Sequence, residues 1–451
     1  MEGLLTLDDW KKILEGEKFV TSRSAIITYH RCPRERFLNY HALLTGVVST
    51  RMNINTTFGS CAHHGRAVML AEEDPEKAVV EALSLYKASA LSKELAIGEN
   101  EDQLFVYEEQ LALLETLLWT WWFIQYPRLK EEYEVVTLPG TEMKAIEKEI
   151  NWPLSPQGIM MSTADCVFRG KVDQALYVDS FKTASYDNTA TFDEDGEKVD
   201  KNKYDDQGIS EMIAVERLFG EEVRGIRMEF FIKGPRKKSA YYGDGSFLSS
   251  GGGGAALQRK QQQTPLIHPW KMDTGLTTEY ATQWSWEDEE GKKRTLSAKS
   301  WKRVDIWKEG EFKNNLKGWV ERLMADGKVA EMERMIITPF PYMRNDEDVN
   351  NWIEQNAYQE EDIYEKLKVL KGLEPTLPGP REAKNPSYKR VLNFYFPQRR
   401  EQCYKFGAFC DYAGHCWEGE KVGGQLYQIR KSHHELEQEF LDKLNGGGEG
   451  L

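Results

Sequence analysis

The chain has 451 residues, 40% hydrophobic and 29% charged, which is a globular composition long enough for one large or two coupled domains. Its formal net charge of −14 argues against wholesale wrapping of nucleic acid, because phosphate binding needs Lys and Arg to displace counterions, so any DNA contact should be local. The longest strongly apolar stretch, 111–124, is interrupted by Glu115 and Thr116 and is too short to cross a bilayer.

The N-terminal segment has no basic flank, apolar run and small-residue cleavage site in series, so a cytoplasmic location with reduced thiols is expected. In that setting six cysteines point to metal or core roles rather than to a disulfide framework.

Along the chain, residues 23–41 follow a capping Ser and carry apolar residues at helical spacing, which predicts one helix with Cys32 inside it. Residues 58–126 are rich in Ala, Leu and Glu and predict a helical layer broken near Pro127. From 134 to 183 the pattern becomes β-branched and alternating, and three strands are expected. The turn signal Arg169-Gly170-Lys171 makes a hairpin of 159–168 against 172–183. A helix over 207–219 closed by Gly220 and a strand over 223–233 follow. Residues 243–263 are Gly-, Ser- and Gln-rich and predict a loop, 298–370 return to amphipathic helix, and the aromatic stretch 393–419 carries the last cysteines.

The order of elements predicts an α/β (α+β) core, a mixed central sheet flanked by helices, with a mostly helical annex. The segments are 1–57 with the first cysteine, a core over 58–235 with a helical insertion at about 65–130, an accessory region over 236–390, a cysteine segment over 391–420 and a tail over 421–451.

Cys403, Cys410 and Cys416 fall within 14 residues, a clustering that thiolate ligation explains. A tetrahedral metal or a cubane needs a fourth ligand, from Cys32, Cys61 or Cys166. The spacing leaves zinc, an iron–sulfur cluster and no metal all open. Cys61 and Cys166 lie inside expected secondary structure without partners, where a cysteine is usually a small hydrophobe.

The pattern Ser24, Tyr29, Cys32-Pro33-Arg34 near the start with C-x6-C-x5-C near the end resembles the iron–sulfur nucleases of the RecB family, within the PD-(D/E)XK superfamily. The resemblance covers the two ends and the stretch from Ser24 to Lys233. It implies a [4Fe–4S] cluster on Cys32, Cys403, Cys410 and Cys416, and hydrolysis of DNA phosphodiester bonds with Mg2+ or Mn2+. DNA, as single strands or duplex ends, is the partner it implies, with a helicase or recombination protein as a further one.

In that family an Asp on one strand faces an acid-x-Lys on the next, and VDSFKT offers Lys182 for the second part. The Asp is Asp165 or Asp173; the second is closer to the family's wording. Asp165 is preferred because it lies across the Arg169-Gly170-Lys171 turn from Lys182. Alternation puts Ser180, not Asp179, on the face of Lys182, so Asp179 serves as an acid only if a β-bulge turns it inward. That bulge is expected here; the alternative is a degenerate, non-cleaving DNA-binding or assembly protein. The third reading is a zinc-stapled structural protein.

Gly59 and His63 match the family's G-x-x-x-H helix start, which implies His63 as a metal ligand, with His64 its neighbour. Gln207 matches the first half of a Gln-x-x-x-Tyr motif, whose Tyr is replaced here by Glu211. Glu147 and Glu149 alternate with Ile146, Lys148 and Ile150 and are read as solvent-facing. Lys233, Arg236, Lys237 and Lys238 form a basic cluster that could hold a phosphate backbone.

Overall fold

In a computed structural model of the chain, the described residues are 12–13, 17–42, 46–49, 54–91, 101–184, 190–192, 198–200, 208–233, 270–273, 282–287, 293–298, 302–339, 341–373, 386–405, 408–418 and 427–430. The expected loop 243–263, Gln207, Arg236, Lys237, Lys238 and the Gly-rich end lie outside them.

The N-terminal helix is two helices. After strand β1 (Phe19–Ser22) come α1 (Arg23–Arg31) and α2 (Pro33–Tyr40), separated by Cys32 in an extended conformation. The sequence contains the reason: Pro33 disfavours helical geometry at the residue before it, and a proline is well placed at the first position of a new helix. Ser22 caps α1 by accepting from the Ala25 amide.

The short strand β2 (Val47–Ser49) leads into a helical layer of α3 (Ile54–Glu72), α4 (Pro75–Leu91) and α5 (Glu101–Thr120). The expected break at Pro127 is absent. A single π-turn over Trp121–Gln125 carries α5 into α6 (Tyr126–Glu132), and Pro127 sits in the first turn of α6, directly after that π-turn. Gly65 lets α3 approach its neighbours, since a Cβ there would lie 3.0 Å from Leu118 and 3.1 Å from Ala82.

The central sheet is built from β1, β3 (Tyr133–Val135), β4 (Ile146–Pro153), β5 (Gly158–Gly170), β6 (Leu176–Ala184), β7 (Val223–Ile232) and β8 (Ile336–Ile337). It is mixed: β1 with β5 and β6 with β7 run parallel, and the other pairs antiparallel. The expected hairpin is β5 and β6. Its second strand starts at Leu176 rather than at 172, because Gln174 takes φ +59° and Val172 is 97% exposed on the turn.

One face of the sheet packs on α3, α4 and α5 through Cys166, Phe168, Phe181 and Phe231. The other packs on α7 (Ile209–Phe219) and the N-terminal part of α9 (Asp346–Gly372), which follows α8 (Leu316–Ala325), through Val178, Ile226 and Met228. The fold is thus a mixed α/β sheet flanked by helices. A third cluster joins α2 and β2 to α9, α10 (Pro386–Tyr395) and the last segment through Phe37, Val47, Ile363, Leu392, Phe396, Tyr412 and Tyr427. Tyr427–Ile429, inside the expected tail, pairs antiparallel with β2. No helix among the described residues is long and apolar enough to cross a membrane.

Candidate active site

Strand β5 organises the site by serving several partners. At Ile159–Met161 it pairs with β1 and β4 together, and at Cys166 with β4 and β6 together, so β1 and β6 share the edge opposite β4. Between Met161 and Cys166 that edge has no ladder partner in these pairings, and β6 diverges from it after Asp179. The Phe181 amide, which the ladder would otherwise satisfy, donates to Asp165 Oδ2 at 2.6 Å. That bond fixes the Asp165 carboxylate at the point where the strands part.

The inward–outward alternation also changes phase here. Met160 and Ala164 pack towards α7, whereas Cys166 and Phe168 pack towards α3. On β4 the same switch occurs between Ile146 and Ile150, and Glu147 takes φ +48°. In the register pairing Ile146 with Cys166 and Lys148 with Ala164, Glu147 stands opposite Asp165. A side chain held in the left-handed region costs on the order of 1–3 kcal/mol and persists only where its surroundings impose it.

Helix α3 brings His63 to the same place. Its Nδ1 lies 3.3 Å from Glu147 Oε1 and 3.5 Å from Asp165 Oδ1, and its ring meets Phe181 edge-on at 4.8 Å. One ligand atom from each of His63, Glu147 and Asp165 lies within 4.8 Å of the others. Lys182 Nζ is 3.7 Å from Asp165 Oδ2. Burial opposes a charged His63, but its hydrogen bonds to Asp165 and Glu147 outweigh this and raise the ring to about 9. Burial likewise works against the Asp165 carboxylate, yet Lys182, His63 and the Phe181 amide hold it down at about 2. His64 turns away and meets Glu81 at 3.0 Å.

The residues form the edge of a groove between α3 and β4, lined also by Ser60, Ala67, Lys144 and Thr163. Glu211 on α7 belongs to the same electrostatic neighbourhood. Burial pushes its carboxyl up to about 7, opposed by Lys182, while Asp165 adds to the rise. Helix α7 begins at Gly208 with φ +89°, where a Cβ would lie 2.8 Å from Ile226, so only glycine fits this start.

Two expected site residues are elsewhere. No bulge turns Asp179 inward: it pairs with Cys166 in the β5 ladder, and the only register shift of β6 against β7 is at Leu176/Tyr177. Regular alternation therefore sends Asp179 to the α3 side. There its Oδ2 accepts from Arg66 Nη2 at 2.6 Å and its Oδ1 from Arg227 Nη1. Glu229 completes a fully buried group, accepting from Arg66 Nε at 2.6 Å, Arg227 Nη2 at 3.0 Å and Trp121 Nε1 at 2.9 Å. Two guanidiniums offset two carboxylates, so Asp179 is a structural ion-pair partner. Lys233 is 4% exposed with its ammonium 5.2 Å from the Phe58 ring centre, so it is not a surface cation for a phosphate backbone.

Sequence reasoning read Glu147, which alternates with Ile146 and Lys148, as solvent-facing, and it used Glu211 only as a missing tyrosine. The signal for Glu147 is its position opposite Asp165, which needs the register.

Lined by none of the groove's residues, a separate small pocket brings Cys32, Cys403, Cys410 and Cys416 together with Glu35, Gln398 and Tyr412. All four are free thiols, and Cys61 and Cys166 lie apart from them in the core below α3. The Cys410 amide donates to Cys403 O at 2.8 Å, and Trp417 Nε1 to Cys403 Sγ at 3.4 Å. Burial pushes the Cys410 thiol up to about 12 and Cys416 to about 11, with the neighbouring cysteines adding to each rise. Four soft donors line this one pocket, though no three of their sulfurs lie within 4.8 Å of one another, and soft donors of this kind are chemically matched to a cationic group. No protein-family model matches this chain, and no curated protein matches it.

Proposed function

We propose that this chain is a divalent-metal-dependent deoxyribonuclease with a PD-(D/E)XK-like core, and that the four cysteines lining one pocket hold a [4Fe–4S] cluster. The convergence of His63, Glu147 and Asp165 beside Lys182 carries the reading. One imidazole and two carboxylates at the rim of an open groove suit Mn2+ or Mg2+. A divalent cation bound there supplies Lewis acidity towards a phosphodiester and lowers the pKa of water.

The chain's own residues do the rest. Asp165 is locked by the Phe181 amide, so one oxygen faces Lys182 while the other faces His63. Lys182 brings a positive charge to the side of Asp165, where it offsets charge gathering on phosphate oxygens and orients the attacking water. The cysteines act structurally, tying α2 to the last segment. The PD-(D/E)XK assignment itself rests on the order of these residues along the chain.

A second reading is a protein that binds DNA without cutting it, favoured by Ser180 standing in the acid position while Asp179 is locked among arginines. The deciding experiment is anaerobic purification, then cleavage of end-labelled single- and double-stranded DNA with Mn2+ or Mg2+. The wild type is expected to cleave, and Lys182→Ala and Asp165→Ala to lose about a hundredfold or more of the rate with melting unchanged. A well-folded wild type that binds DNA and cuts neither substrate would establish the second reading.

A further inference from the structure

Arg66 lies three residues after His63 on α3 and is 2% exposed, and no step of the proposed cleavage uses it. Its Nη2 donates to Asp179 of β6 and its Nε to Glu229 of β7, each at 2.6 Å. The guanidinium carbon is 5.2 Å from the Phe181 ring centre and 5.3 Å from that of Trp121. Trp121, the first residue of the π-turn, donates to Glu229 as well, at 2.9 Å. One side chain thus binds α3 to two strands of the sheet and to the end of α5.

Stability alone is a weak reason for such a group. Apolar side chains of similar volume often serve a core as well as balanced buried charges do, because each charge gives up its hydration. What charge-assisted hydrogen bonds add is direction: apolar packing lets a helix slide or turn slightly, whereas a planar fork bonded along two edges fixes it. Phe181 connects this group to the metal site. Its ring lies beside Arg66 and meets His63 edge-on at 4.8 Å, while its amide donates to Asp165 Oδ2 at 2.6 Å. Residues three apart on a helix are surface neighbours, so a displacement of Arg66 carries His63 with it. Glu147 and Asp165 come from the sheet and His63 from α3, and such a constellation works only when held to within about 0.5 Å.

We propose that Arg66 is a positioning residue of the divalent-metal centre: bonded to Asp179 and Glu229, it fixes α3 on the sheet and so holds His63 against Glu147 and Asp165. This rests on the metal-centre part of the proposed function and not on DNA as the substrate. Glu229 alone keeps the Nε edge tied, so α3 stays in place when Asp179 is removed.

The test is calorimetric titration of Mn2+ into the cluster-loaded full chain well below its melting temperature, with DNA cleavage measured in parallel. Arg66→Met combined with Glu229→Gln removes one cation and one anion together and leaves Arg227 paired with Asp179. It is expected to melt within about 5 °C of the wild type and to bind Mn2+ at least about tenfold more weakly. Arg66→Lys keeps the charge but loses the fork that spans both carboxylates, and is expected to weaken Mn2+ binding in the same direction in a chain of near wild-type melting. The matched control is Arg36→Met with Glu360→Gln, another buried ion pair whose residues do not line the groove, and its Mn2+ affinity is expected to be that of the wild type. Wild-type affinity in a folded Arg66 variant, or an equal loss in the control, overturns the proposal, and cleavage by the wild type in that case leaves the nuclease reading standing. Arg66-dependent Mn2+ binding in a wild type that cuts no DNA keeps the proposal and sinks the nuclease reading. A wild type that binds no Mn2+ overturns both.

Discussion

His63 shows how three side chains set each other's charge. Without a metal, its imidazolium sits between Glu147 and Asp165 and keeps its proton to about 9, well above the ordinary 6.5. A cation must displace that proton. Below pH 9 each Mn2+ bound therefore releases a proton, and affinity is expected to rise about tenfold per pH unit between pH 7 and 9, then level off. Titrations in buffers of different ionisation enthalpy measure the proton release directly. The linkage has the opposite sign for the metal-free fold. A raised histidine adds stability that is fully present below 6.5 and is lost as pH rises through about 9. His63→Gln should abolish both effects. The residue was legible in advance from its spacing to Gly59, but its protonation was not, since that depends on carboxylates 84 and 102 positions away.

At the scale of elements, β6 decides what its residues can do. Odd positions face α3 and even positions face α7, so one strand sends Asp179 into the buried arginine group and Lys182 to the site. The sequence showed that Ser180 shares a face with Lys182. It did not show where the sheet breaks phase, and the break lies at Glu147 and Asp165, on the two neighbouring strands, instead of at Asp179. The twin demands of closing the β5–β6 ladder at Asp179 and satisfying the Phe181 amide place it there. Asp179→Ala is expected to lower stability by about 3–5 kcal/mol, because Arg66 and Arg227 would share Glu229 alone in a dry site. Its Mn2+ affinity is expected to stay close to wild type. A large loss of affinity in a variant of unchanged stability would return Asp179 to the metal centre.

At the scale of the whole molecule, an early segment around residues 30–47 and a late one around 396–412 form one structure. Arg34 Nε donates to Phe396 O at 2.9 Å, Arg399 Nη1 to His30 O at 2.5 Å, and the Tyr412 hydroxyl to Val47 O at 2.8 Å. The four cysteines line one pocket with Glu35, Gln398 and Tyr412, residues of the same early and late segments. Cys32→Ser is expected to remove the visible sulfur-to-iron absorption of the anaerobically purified protein and to lower its melting temperature by roughly 5–10 °C. A colourless wild type that carries zinc would replace the cluster assignment with a zinc site. Either way the loss should be felt by these two joined segments before the sheet, and proteolysis near α1 and α2 would report it.

Local features of the sequence by themselves determined the helix start at Ser22, the turn after Arg169, the capping glycine at Gly220 and the clustering of the late cysteines. Each is written in neighbouring residues whose backbone preferences and spacing act over a few positions. The break at Cys32 was written locally too, in Pro33, and the apolar periodicity around it masked the signal. The tertiary structure alone decided that Glu147 stands opposite Asp165 and that Asp179 belongs to Arg66 and Arg227. These depend on register and on which edge of β5 each strand occupies. Burial then fixes them, because a charged group leaves water only where partners from distant parts of the chain meet it.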